Sequence, residues 1–233
     1  MSLLLGFDAP ATARADDGVL DSIVGGERVA LHAERALHWL RERTVFVADV
    51  HLGKAAAFRA GGVPLPRGST QADLARLSSL LASTGAARLV VLGDFLHARA
   101  GRVAALDASF KAWRATHAPL QVVLVRGNHD DRAGDPPSDW GIDVVAEPHL
   151  LAPFLACHIP MTPPTGYALC GHVHPGVFLR GTADTERLPC FVLGARRAIL
   201  PAFGSFTGLA TVTPGAGERL VAVAGHQLFA LPA

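Results

Sequence analysis

Five apolar, β-branched runs of strand length recur along the chain, and each ends in polar residues able to bind a metal. Thr44 to Ala48 runs into Asp49, Arg88 to Leu92 into Gly93-Asp94, and Leu120 to Val125 into Arg126-Gly127-Asn128-His129-Asp130. Phe154 to Cys157 runs into His158, and Tyr167 to Cys170 into Gly171-His172-Val173-His174. Runs of this kind read as strands. Between the first two, Leu74, Leu77, Leu80 and Leu81 form an apolar stripe at helical spacing. That predicts a helix over 70–83, with Thr70 and Asp73 as its capping box. A second helix is predicted over about 103–116. Strand, helix, strand, helix, strand implies parallel strands joined by right-handed crossovers.

The second half loses the helical pattern. Residues 175–180, 189–200, 208–213, 219–223 and 226–230 read as strands separated by Gly and Pro. Near the start, 22–32 predicts a hairpin turning at Gly25-Gly26. Residues 8–21 show little periodicity, so 1–21 is expected to be a loose terminus. The class is α/β, as a two-sheet α/β sandwich flanked by helices. With no internal repeat, low-complexity tract or clear linker, one domain over 22–233 is the simplest reading.

Composition narrows this picture. At 233 residues the chain can bury a substantial core without staples, and with half its residues hydrophobic it is not disordered. No apolar run approaches the ~20 residues that cross a bilayer. The short Leu run after Met1 has no basic residues before it and is too short for a signal peptide. A cytoplasmic protein without membrane contact is expected. Cys157, Cys170 and Cys190 are odd in number and widely spaced, which suits buried thiols in a reducing compartment. The net charge of +1 does not advertise a nucleic-acid binder, though a local basic patch is compatible with it.

In open α/β sheets, ligands bind beyond the carboxyl ends of the strands. Here five strand ends would gather Asp, Asn and His into one cleft. Each string alone is weak, because Asp-x-His is commonly a turn or cap and Gly-Asp after a strand is commoner still. Five strings in one order are a different matter. Imidazoles, carboxylates and one carboxamide oxygen suit manganese first, with iron and zinc as alternatives. Two such ions ~3.5–4 Å apart clamp the attacking and leaving oxygens of an in-line displacement. One carboxylate must then bridge them, and Asp94, in the middle of the set, is the candidate. A metal-bound hydroxide is the natural nucleophile, so no Cys or Ser is needed in that role.

The order Asp49-x-His51, Gly93-Asp94, Gly127-Asn128-His129-Asp130, His158 and Gly171-His172-x-His174 resembles the calcineurin-like metallophosphoesterases. The resemblance implies the two-sheet sandwich. It also implies one metal on Asp49, His51, Asp94 and His174, and a second on Asp94, Asn128, His158 and His172. His129 is then not a ligand but stands near the leaving oxygen, as proton donor or transition-state stabiliser. Protein Ser/Thr phosphatases of the family carry Asp-Arg where this chain has His97-Ala98, which argues against phosphoprotein substrates. Asp49-Val50-His51-Leu52-Gly53 and Gly93-Asp94-Phe95-Leu96-His97 resemble the nuclease subunit SbcD. The stretches from His51 to Arg59 and from Leu200 to Gly208 resemble the PdeM group of ligase-associated DNA damage response endonucleases. That resemblance implies a DNA phosphodiester substrate and a functional tie to an ATP-dependent DNA ligase, a helicase and another nuclease.

Other residues carry two readings each. His97 is either near the site or structural. Arg99 and Arg102 either hold a substrate phosphate or form a solvated cluster. Lys54, Arg59 and Arg67, flanking the first motif, divide the same way. Phe203 and Phe206 read as core rather than as a base-stacking platform. Three functions remain: a DNA repair endonuclease, a hydrolase of small phosphoesters such as a nucleotide or lipid-precursor pyrophosphate, and a non-catalytic scaffold. The intact ligand set and His129 argue against the scaffold. The absence of a long amphipathic insertion favours a soluble, polar substrate over a lipid.

Overall fold

The computed structural model describes residues 13–15, 17–180 and 185–232. Strand β1 (Ala13–Ala15) belongs to the second of two sheets. The first sheet holds β2 (Val19–Val24), β3 (Glu27–His32), β4 (Ala36–Trp39), β5 (Thr44–Val47), β6 (Arg88–Leu92), β7 (Gln121–Val125) and β8 (Asp143–Val145), side by side in chain order. Pairing is antiparallel from β2 to β5 and parallel from β5 to β8. Helices α1 (Lys54–Ala60) and α2 (Ser69–Thr84) lie between β5 and β6, and α3 (Ala104–Thr116) between β6 and β7. The short α4 (Asn128–Ala133) follows β7.

The second sheet is built from β9 (His149–Leu151), β10 (Phe154–Ala156), β11 (Tyr167–Cys170), β12 (Pro175–Arg180), β13 (Thr185–Leu193), β14 (Arg197–Ile199), β15 (Ala210–Thr211), β16 (Arg219–Ala224) and β17 (Gln227–Ala230). Its order is β1-β17-β16-β13-β14-β11-β10-β9, with β12 on β13 and β15 on β12.

Strand alternation explains the layers. Along β6, Val90 and Leu92 face the second sheet, packed with Phe46, Val123, Phe154 and Leu169. Leu89 and Val91 face the helices, packed with Leu77, Leu80, Phe110 and Trp113. Along β11, Tyr167 and Leu169 point into the sandwich while Ala168 and Cys170 join a third cluster. After their first residue, strands apolar on both faces carry no polar residue until they end, so the next polar groups of β5, β6, β7, β10 and β11 emerge at one rim.

The expected sandwich and helices are present, with informative differences. The stretch expected to be loose contains two strands among its described residues: β1 pairs with β17, and β2 starts at Val19. The outward positions of β2 are exposed, so its apolar alternation is incomplete. The hairpin at Gly25-Gly26 is as expected. The run 189–200 is two antiparallel strands folded back at Gly194, with Val192 opposite Ile199. The capping box fails: α2 starts at Ser69 after Gly68, with no side-chain cap. Asp73 accepts instead from the amide and hydroxyl of Ser205 and faces Arg76 at 3.5 Å. The three cysteines are free and buried. No helix among the described residues is long and apolar enough to cross a membrane.

Candidate metal centre

The loops after the strands are held in unusual backbone conformations. Asp49, His51, Asp94, His172 and His174 all have positive φ, between 51° and 71°. Non-glycine residues there are strained by about 1–3 kcal/mol each, and such strain persists only where the surroundings over-determine it. Those surroundings are identifiable. The His51 amide donates to the Asp94 carbonyl at 2.8 Å and the Leu52 amide to the Phe95 carbonyl at 2.8 Å, locking the first two loops together. Asp130, fully buried, accepts from the amides of Leu96, Gly127 and Phe95, tying the third loop to the second. The amides of Phe203 and Gly204 donate to the carbonyls of Ala48 and Asp49. Gly93 has φ 78°, and a Cβ there would overlap the His158 ring at 2.2 Å, so only glycine fits between β6 and that imidazole.

The side chains converge in two groups. Asp49, His51 and His174 present one ligand atom each within 4.8 Å of one another, and so do Asp94, His158 and His172. Asn128 Oδ1 lies 2.9 Å from His158 Nε2 and joins the second group. Asp94 lies between them, with Oδ2 3.8 Å from His51 Nε2 and Oδ1 3.4 Å from His158 Nε2. The far ring nitrogens of His158 and His174 are occupied by the protein. His158 Nδ1 faces the Leu92 carbonyl at 3.1 Å and His174 Nδ1 the Gly208 carbonyl at 3.2 Å. An imidazole that donates from one nitrogen to a carbonyl presents the lone pair of the other, the usual outer support of a metal-binding histidine. His51 Nε2 approaches His174 Nε2 to 3.4 Å, and His172 Nδ1 approaches His158 Nε2 to 3.0 Å. Converging ring nitrogens around two buried carboxylates form a donor set that fits divalent cations.

Charge balance points the same way. Burial drives the His51 imidazole down to about 2, with Lys54, His174, His129 and His97 adding to the effect, so it stays neutral with its lone pair free. Burial raises Asp94, opposed by His158 and the His129 amide. Burial works to lower His174, but its hydrogen bond and attraction to Asp49 outweigh this and leave it raised. Asp130 is pushed up to about 6 by burial, against three amide donors.

All seven residues expected as metal ligands therefore meet in one place. His129 lies beside them, its Nε2 4.0 Å from Asp94 Oδ2. Its Nδ1 faces the His97 carbonyl at 2.8 Å. His97 is next to the site: its Nδ1 is 3.3 Å from His51 Nδ1, and its ring lies flat against that of His129. His51, His97 and His129 form a third metal-capable group, which the linear motifs did not indicate. Burial pushes His97 down to about 4. Arg102 is turned to the carbonyls of Ala133 and Gly134 at the end of α4, and Arg99 is exposed on the same loop. Lys54 is brought close enough that its charge is felt by His51 and His97. Phe203 is buried core under the Arg76 guanidinium, whereas Phe206 is partly exposed.

Comparison with known proteins places this geometry. The family model of the calcineurin-like phosphoesterases matches residues 42–160. The solved structure of a nuclease, MPE, from Pseudomonas putida is 44% identical with a TM-score of 0.81, over 91% of this chain and 100% of that one. YfcE, a phosphoesterase from E. coli, matches at 18% identity and a TM-score of 0.35, over 78% of this chain and 88% of that one. Among curated proteins, none matches.

Proposed function

Because the chain belongs to the calcineurin-like phosphoesterase family, we propose that it is a binuclear metal-dependent phosphodiesterase that cuts DNA. The observation that carries this reading is Asp94, whose two oxygens face one histidine group each. Asp49, His51 and His174 would hold one ion and Asn128, His158 and His172 a second, with the Asp94 carboxylate shared between them. Two divalent ions there, manganese by preference, would polarise the phosphoryl oxygens and stabilise the charge of an in-line displacement. The nucleic-acid substrate rests on the 44% identical relative, described as a nuclease.

The chain's own residues supply the rest. His129 donates its Nδ1–H to the His97 carbonyl, which leaves Nε2, the nitrogen nearer Asp94, facing the site. That nitrogen delivers a proton to the leaving oxygen. Lys54 places a positive charge beside the first group, where a phosphate anion would lie. The test is a manganese-dependent assay with DNA, bis-p-nitrophenyl phosphate and p-nitrophenyl phosphate side by side. DNA should be cut, and the diester dye should turn over faster than the monoester. Dye hydrolysis without any DNA cleavage, at low salt and with ends and nicks supplied, would leave a hydrolase of small esters instead.

A further inference from the structure

Phe58 lies one turn along α1 from Lys54, and 40% of this large apolar residue is exposed. It does not turn into the core. Its ring lies flat against His97, centroids 5.9 Å apart with 15° between planes, and His97 lies flat against His129 at 4.9 Å and 19°. The three rings make a column. Its inner end is the imidazole beside Asp94, and its outer end is open to solvent. Among the described residues, His97 is the one ring that packs against Phe58. An exposed aromatic in line with a catalytic imidazole has a π-face to offer, and every nucleobase has a π-face to match it. The neighbouring charge is of the right sign for a strand, with Lys54 at the start of the helix and Arg59 next to Phe58.

Resting on the reading of the protein as a nuclease, we infer that Phe58 is a base-stacking residue. It takes a nucleobase adjoining the scissile phosphate, so that base, Phe58, His97 and His129 form one continuous stack. The stacked base fixes the strand relative to His129, which sets the register of the phosphate over the metals. A small dye ester carries no neighbouring nucleotide and gains nothing from this contact.

The experiment uses single strands with one cleavable phosphodiester, the other linkages being methylphosphonates. An abasic residue is placed in turn at each position around that phosphate. Phe58→Ala should lower kcat/KM on the intact strand by roughly tenfold, leave bis-p-nitrophenyl phosphate hydrolysis unchanged, and leave thermal unfolding unchanged. Wild-type protein should suffer a similar loss when one particular position is abasic, and on that strand Phe58→Ala should lose nothing more. Phe58→Trp should retain the intact-strand rate. Equal losses for Phe58→Ala on intact and abasic strands would mean that the ring merely props His97, and the assignment fails. It fails also if Phe58→Ala cuts the intact strand at the wild-type rate. Wild-type protein that hydrolyses the dye and cuts no strand removes the nuclease reading, and the stacking residue with it.

Discussion

The two ligand groups use the same donors in opposite surroundings. Asp49, His51 and His174 have the Lys54 ammonium close by, with the His97 and His129 rings beside them. Asp94, His158 and His172 have Asn128 and the Leu92 carbonyl as neighbours, while Glu147 accepts from the His158 and Ile159 amides at 2.6 and 2.9 Å. Positive neighbours oppose a cation and attract a phosphate, whereas neutral and negative neighbours do the reverse. On this electrostatic argument the second group would hold an ion more tightly, and the first would meet the substrate phosphate. A two-metal site gains from the asymmetry, because one strong site anchors the centre while the other exchanges contacts with the reacting phosphate.

The largest disruption is at the residue the groups share. Asp94→Ala removes one oxygen from each group and should empty both. A centre worth several kcal/mol of charge stabilisation then disappears, a loss of roughly a thousandfold or more in rate. Metal analysis after dialysis should fall from two ions per chain to near zero. Two tightly held ions in that variant would show that the groups stand independently and that Asp94 is no bridge.

A smaller effect separates the acid from the metals. His129→Ala should keep both ions and slow DNA cleavage by roughly 10²–10⁴. The loss should shrink for p-nitrophenolate, which departs without a proton. A leaving-group series with equal losses throughout would reassign His129 to charge stabilisation or positioning.

The asymmetry itself is tested at Lys54. Lys54→Met removes one positive charge beside the first group and should tighten its ion by about fivefold, the order expected from one charge at close range in a solvent-screened setting. DNA cleavage should weaken at the same time. Calorimetric manganese titration resolves the two sites, and only the weaker should move. Tightening of both sites alike, or of neither, would contradict the assignment of the first group as the cation-crowded one.

What the chain betrays in its linear order follows from where its chemistry sits. Asp49, Asp94, Asn128, His158 and His172 each end an apolar strand, so polarity switches abruptly and marks the rim. The same rule makes the parallel strands legible, because β5, β6 and β7 are apolar on both faces. What stayed hidden depends on distant partners. Asp73 looked like a local cap because Ser205, which it actually binds, is 132 residues away. The third group escaped as a group because His97, although it stands in the Gly93-Asp94-Phe95-Leu96-His97 string, meets His51 across 46 residues. Helices α1 and α4, of 7 and 6 residues, are too short to show a period. The positive φ angles at Asp49 and His51 come from bonds to another loop and leave no trace in residue type.

The smallest expected effect concerns imidazoles buried without the support the metal groups enjoy. His32 and His38 lie on adjacent strands with ring centroids 6.1 Å apart, and Nε2 of each is buried with no hydrogen-bond partner. Burial lowers His32, partly opposed by Glu34, and burial and then His32 lower His38. Folding therefore favours the neutral form of both, whereas in the unfolded chain they titrate near the ordinary histidine value of about 6.5. As pH falls through that value, the unfolded state binds protons that the folded state refuses, so stability is lost on acidification and levels off only below the folded values. The loss from this pair should fall between about pH 7.5 and about pH 5.5, the window around the unfolded value. His51 and His97 are lowered too, so the total slope mixes both sources. The measurement is a difference: urea midpoints with chelator present, across that range, for wild-type protein and for His32→Phe with His38→Phe. The double variant should show the flatter profile. Identical slopes would mean that the two imidazoles find partners in solution, and that the acid sensitivity arises at other groups such as His51, His97 and His117.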